Sequence, residues 1–416
     1  FTLGALVVYR LGTFIPLPGI DPLALANIME KQTQGLLGMF NMLSGGAVER
    51  MAIFALNVMP YISASIIMQV MATVSPTLEK LKKEGEAGRK KINQYTRYLT
   101  VGLAVAQSWA IARGLEASTG LVVNPGLFFE VTTVVTLTGG VMFLMWLGEQ
   151  ITSRGIGNGI SLIIFAGIVA NLLQGFVGTL ELARKGSITW PSALGLYLLV
   201  VVVITFIVFV ERAQRRLLVQ YPKRQMGNRM MGGESSHLPL KLNTSGVIPP
   251  IFASSLLVLP ITIASFNAEN APDWLAEVVR LLGHGQPLYM LFYGLLIVFF
   301  AFFYTAVVFN PNDTADNLKK YGGFIPGIRP GKKTAEYIDY VLTRLTVVGA
   351  GYLLLVCLVP EFILAQYGAN LLLLGGTSFL IIVSVTMDTV AQVHSHLLAH
   401  QYEGLIKKAR FKSPRS

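Results

Sequence analysis

Pro60-Tyr61-Ile62-Ser63-Ala64-Ser65 and Pro249-Pro250-Ile251-Phe252-Ala253-Ser254 agree at four of six positions, with 189 residues between their starts. Each run opens a long apolar segment, the second in its half of the chain, the halves meeting near residue 190. Segments drawn from a small apolar alphabet also agree this well by chance, so the surrounding sequence has to decide. A true duplication would make a membrane protein of two related halves with its working site between them.

Composition points the same way. The 416 residues are 53% hydrophobic and 13% charged, with a mean hydropathy of +0.58. Soluble domains carry roughly 25% charged residues. The deficit is concentrated in segments long enough to span a bilayer, about 20 residues each. Ten spans are predicted: 1–14, 51–74, 99–115, 131–149, 160–176, 193–210, 247–263, 288–309, 341–359 and 371–393. The first starts at Phe1 inside an apolar stretch and reads as the remainder of a longer helix.

The connections differ sharply in charge. With both termini in the cytoplasm, the inside segments are 77–97, 151–158, 211–245, 310–335 and 394–416. They hold 25 of the 33 Lys and Arg residues, against six in the outside segments and outer span ends. The positive-inside rule therefore orients the chain, and the net charge of +11 is a topology signal that needs no nucleic acid to explain it. Ten spans divide as five and five. An odd number per half inverts the second half, so the Pro60 and Pro249 helices run antiparallel.

Leu36–Arg50 lies outside the membrane by topology yet starts apolar, is too short to span, and is broken by Gly45-Gly46. Two readings fit it equally: a helix re-entering between the halves, or one lying on the outer leaflet. The loops 211–245 and 310–335 are longer than topology needs. Pro and Gly around Arg329 would stiffen an exposed tip with its guanidinium free for phosphate or carboxylate. These loops read as a docking surface for an acidic protein or RNA, or as solvated loops near anionic lipid.

Gly155-Ile156-Gly157-Asn158-Gly159 resembles a phosphate cradle only superficially, lacking a preceding strand and a following Lys-Ser/Thr, and reads as a tight turn. His394, His396 and His400 have no nearby cysteine to complete a zinc pattern, so no metal is expected. Cys357, the single cysteine, lies in an apolar run. Ionisable residues in spans are few: Asp388 near the inner end of the last, with Arg10, Glu130, Glu149, Arg344 and Glu361 near ends. Ion-coupled transport uses charged groups at mid-membrane. The matched runs carry isoleucine there, which favours a passive apolar constriction over a solute transporter or a ribosome-binding scaffold.

Residues 38–67, 82–98, 143–170, 237–255, 302–331 and 375–388, among them HLPLKLNTSGVIPPIFASS and FFYTAVVFNPNDTADNLKKYGGFIPGIRPG, resemble the SecY family, the channel subunits of bacterial preprotein translocases. The resemblance implies an all-α polytopic membrane protein with ten transmembrane helices in two inverted five-helix halves around a central pore. The halves would be 1–176 and 193–393, joined by a hinge loop at 177–192, with a cytoplasmic tail at 394–416. It implies a protein-conducting channel, not an enzyme and without cofactor, that moves unfolded secretory chains across the cytoplasmic (inner) membrane and releases helices sideways into it.

Site residues follow from the same resemblance. The pore ring matches Ile62, Ile66, Ile164, Ile168, Ile251 and Ile381. The plug matches 36–46, with Leu36, Leu37, Met39, Phe40, Met42 and Leu43. The lateral gate falls on Ser63, Ser65, Gln69, Ser254, Ser255 and Leu256. Docking of the motor ATPase SecA and of the ribosome falls on Arg215, Arg216, Lys223, Arg224, Arg229, Arg329, Lys332 and Lys333. Other implied partners are the SecE and SecG subunits, the unfolded preprotein with its signal sequence, and anionic lipid. Branched apolar side chains in a ring can dewet and block ions, yet they offer no specific bonds to hold a passing chain.

Overall fold

A computed structural model describes residues 1–25, 44–117, 120–222, 224–226, 229–231, 235–266, 277, 280, 281, 286–367 and 375–411. Each of the ten expected spans coincides with a helix: α1 (Thr2–Gly12), α2 (Met59–Val74), α4 (Glu86–Ala117), α5 (Leu127–Arg154), α6 (Gly159–Arg184), α7 (Trp190–Arg212), α8 (Ile248–Phe266), α9 (Pro287–Val308), α11 (Lys332–Tyr367) and α12 (Gly376–Phe411). Two further helices, α3 (Pro76–Lys83) and α10 (Pro311–Lys320), lie in connections. Among the described residues, six helices are long and apolar enough to cross a membrane. A seventh arises if α2 and α3, bent by 98° at Ser75, count as one. Thr2–Gly12 and Ile248–Leu257 are shorter apolar helices.

The described residues form two units, one from Phe1–Ser187, Pro260–His284 and Ile381–Ser416, the other from Ile188–Leu259 and Gly285–Leu380. In the first, α4 packs against both α2 and α5, and α5 against α6. Two ion pairs tie α4 to α5: Arg97 with both oxygens of Glu149 (2.7 and 2.8 Å), and Arg113 with the buried Glu130 (2.8 Å). Two of the span-end carboxylates are thus accounted for by structure. α5 and α6 meet so closely that a Cβ on Gly159 would collide with the carbonyl of Gly148. The Asn158 side chain caps α6 by accepting from the N–H groups of Ile160 and Ser161.

In the second unit α9 packs against α11, and α10 against the base of α11. The long connection after α7 folds into the antiparallel pair β1 (Gln214–Gln220) and β4 (Ser235–Lys241), with Leu217 opposite Leu238, and a smaller pair β2 (Arg224–Met226) and β3 (Arg229–Met231).

Several expected boundaries move. Residues 51–58, predicted as the start of a span, are turns, with Met51 and Asn57 at φ of 42° and 48°. The N–H of Leu17 bonds the carbonyl of Met51, and the N–H of Ile53 that of Ile15, so this stretch combines tight turns with backbone bonds to a neighbouring chain segment. The connection expected at 177–192 is shorter, 185–189, because Leu180, Glu181, Leu182, Ala183 and Arg184 are good helix formers and α6 continues through them. The last helix runs through most of the expected tail, to Phe411.

Candidate functional site

In the first unit the matched run opens α2 with proline at its N-terminal turn, where the missing N–H costs nothing. Ile62 and Ile66, four residues apart, share one face and are buried, as is Ser63; Ser65 and Gln69 are half-buried. Ile164 and Ile168 repeat the spacing on α6, and Ile381 lies near the start of α12, all buried. In the second unit, Ile251 is half-buried, Ser254 and Ser255 are buried, and Leu256 is exposed. The Ser254 hydroxyl donates to the Ile251 carbonyl at 2.9 Å.

Leu36, Leu37, Met39, Phe40, Met42 and Leu43 lie outside the described residues. Ser44 begins a glycine turn on α6, where a Cβ on Gly45 would come within 3.0 Å of the Gly167 Cα, between Ile164 and Ile168 in sequence. Gly45 and Gly46 take φ of 69° and 83°. Tyr9 donates to the Ser44 carbonyl (3.2 Å), Arg10 to that of Gly45, and Arg50 to that of Thr13 (3.4 Å). The guanidiniums of Arg10 and Arg50 both approach the Phe14 ring, at 5.0 and 4.2 Å from its centre. Sequence reasoning noted Arg10 only as an ionisable residue in a span. Its carbonyl partner, 35 residues away, carries no local signal.

The Gly155–Gly159 turn is clasped by side chains distant in sequence. Its Ile156 N–H donates to Thr2 Oγ1 (3.0 Å) and its Gly157 N–H to Gln392 Oε1 (2.7 Å). These two amides are thus filled by the protein's own oxygens. His394 and His396 are exposed.

The two basic loops form one body. Leu217 and Val219 of β1 and Leu240 of β4 pack with Ile325, Ile338 and Val341, and Gln220 pairs with Phe324. Arg215, Arg216, Arg329, Lys332 and Lys333 are exposed around this core, Lys333 beside Glu336 at 3.0 Å. Gly327 and Gly331, at φ of 82° and 99°, shape the Arg329 tip, and Thr334 donates to the Arg329 carbonyl. Arg224 and Arg229 fall in the β2–β3 pair, and Lys223 lies outside the described residues.

Comparison with known proteins names the architecture. The family model described as SecY matches residues 52–390. The chain belongs to the SecY family. The protein translocase subunit SecY of Rickettsia bellii strain RML369-C is 55% identical over 99% of this chain and 96% of that protein. The protein of the same name from Escherichia coli K12 is 56% identical over 99% and 94%. Among solved structures, one described as a protein conducting channel matches with a TM-score of 0.69 at 16% identity, over 95% of this chain and 90% of that one. Sec61 in a canine ribosome-channel complex matches with a TM-score of 0.65 at 15% identity, with the same coverage. SecY membership agrees with the all-α polytopic membrane fold.

Proposed function

We propose that the chain is the protein-conducting channel of a preprotein translocase, passing unfolded secretory chains across the cytoplasmic membrane and releasing apolar helices sideways into lipid. The observation that carries this reading is the match over 99% of the chain to protein translocase subunits named SecY. In this reading Ile62, Ile66, Ile164, Ile168, Ile251 and Ile381 form the apolar constriction. The stretch from Leu36 to Gly46 plugs it, and the Ser63–Gln69 and Ser254–Leu256 stretches border the lateral exit.

The exposed basic residues around the β1–β4 body receive SecA or the ribosome, with Arg329 at the tip. The structurally similar canine Sec61 and yeast Ssh1 are described in complexes with ribosomes, which supports the second partner. SecE and SecG complete the channel, both termini are cytoplasmic, and the driving energy comes from the bound partner.

Ion conductance of purified channels in planar bilayers tests the constriction. Ile62→Asn and Ile381→Asn each put an amide where the ring must dewet, and both should raise the resting conductance severalfold. Variants as tight as the unmodified channel would remove these isoleucines from the seal.

A further inference from the structure

Arg344, on α11 of the second unit, carries a charge that the chain does not answer. Its side chain is exposed, and its guanidinium rests over the Tyr340 ring, 4.3 Å from the centre. Among the described residues no carboxylate or carbonyl accepts a bond from it. Glu336 is paired with Lys333 at 3.0 Å. Asp339, five residues before Arg344, projects from about 140° around the helix.

The depth of Arg344 follows from its neighbours. Val347, Val348, Leu355, Val359 and Phe362 are each between 46% and 58% exposed. At about 100° per residue, all five fall within about 60° of Arg344 around the axis. They form an apolar stripe about 22 Å long. Arg344 stands one turn beyond the end of the stripe nearest the basic 310–335 connection, with Tyr340 a turn further, as residues at a headgroup boundary do. Gly351 lies within the stripe, exposed, with nothing within 4 Å of where its Cβ would stand. Beyond it the stripe opens into an apolar cleft between α7 and α11, lined by Leu199, Val203, Phe206, Leu355, Val359 and Ile363. Leu355 is about 16 Å from Arg344 along the axis, close to the depth of one leaflet in a hydrocarbon core about 30 Å thick.

We propose that this face holds an anionic phospholipid, its phosphate on Arg344 beside Tyr340 and an acyl chain running over Gly351 into the α7–α11 cleft. A guanidinium is permanently charged and suits phosphate with two parallel bonds. A carboxylate on a partner would match the guanidinium alone, whereas a lipid matches the guanidinium, the stripe and the cleft together. In the proposed orientation Arg344 faces the cytoplasmic leaflet, which is the anionic one. The assignment needs only that α11 crosses the membrane, and it stands whether or not the chain conducts protein.

A fluorophore on Val347→Cys tests it, in the channel extracted with its accompanying subunits and reconstituted in phosphatidylcholine. Cys357 is buried and stays unlabelled. Phosphatidylglycerol with brominated acyl chains should half-quench the label at about fivefold lower mole fraction than brominated phosphatidylcholine, the advantage that one basic side chain near the surface provides. Arg344→Gln should bring the two curves together, and Arg344→Lys, which keeps the charge without the planar fork, should fall between. Gly351→Leu enters open space, so it should fold normally while reducing the preference. A label on Val135→Cys of α5, an exposed position, should be quenched equally by both lipids. Equal quenching at Val347→Cys, a preference that survives Arg344→Gln, or one abolished by millimolar inorganic phosphate would overturn the lipid site. A label quenched by neither lipid until the other subunits are stripped away would give the face to a partner helix instead. If Arg344→Gln does not accumulate, an unchanged preference in both Arg344→Lys and Gly351→Leu overturns the proposal.

Discussion

The two copies of the Pro-x-Ile-x-Ala-Ser run open helices in the same way and are held by opposite chemistry. Ahead of α2 the support is apolar and sterically tight. The Phe54 ring stacks on Tyr9 and Phe143, at 6.2 and 5.8 Å between ring centres. A Cβ on Gly12 would overlap that ring, and one on Gly140 would strike the carbonyl of Ile53. Ahead of α8 the support is polar. The Asn243 amide donates to Glu211 (2.8 Å) and to the Gly246 carbonyl (3.1 Å), Ser245 donates back to Asn243 (3.0 Å), and Tyr352 reaches the same Glu211 oxygen at 3.4 Å. The matched run therefore opens a helix in both places, while the residues that hold each start differ in chemistry.

Breaking the apolar support should have the largest effect. Gly140→Leu drives a side chain into a backbone oxygen that has no rotamer by which to yield. A cost of about 3 kcal/mol or more is expected, and folded, monodisperse protein should not be recovered from detergent extracts. Normal yield with an unchanged thermal midpoint would mean that α5 and the 51–58 stretch can separate freely.

The polar support should break more gently. Asn243→Asp faces Glu211 with a second carboxylate and should lower the thermal midpoint by several degrees. Asn243→Ala, which leaves Glu211 its bond from Tyr352, should cost less, about 1–3 kcal/mol. An Asp variant as stable as the Ala variant would show that the pair is solvated after all. Ser245→Ala removes one neutral bond and should be the mildest, about 1 kcal/mol; a loss as large as that of Asn243→Asp would make the hydroxyl, not the amide, the centre of the network.

Hydropathy and charge made the ten helices legible, because a segment that spans lipid must be apolar along its length wherever it packs. Their ends were less legible. Residues 51–58 are as apolar as the helix they precede, yet they form turns joined by backbone bonds to Ile15 and Leu17. The candidate site divides likewise. Ile62 and Ile251 stood out through the repeat, and the other ring positions through family resemblance. The stacking of Arg50 on Phe14 and the Thr2 and Gln392 clasp on the glycine turn had no sequence signal, since each joins residues that only folding brings together.

By itself the sequence determined that this chain is a polytopic membrane protein of the SecY family. Transfer of side chains into lipid is a local property, summed along a segment and readable without knowing what lies beside it. Tertiary structure alone decided which glycines must stay bare, which arginines find carbonyls, and how the two basic loops merge around Leu217, Val219 and Ile325. Those outcomes rest on close contact between distant residues, where a few tenths of an ångström separate a hydrogen bond from a collision.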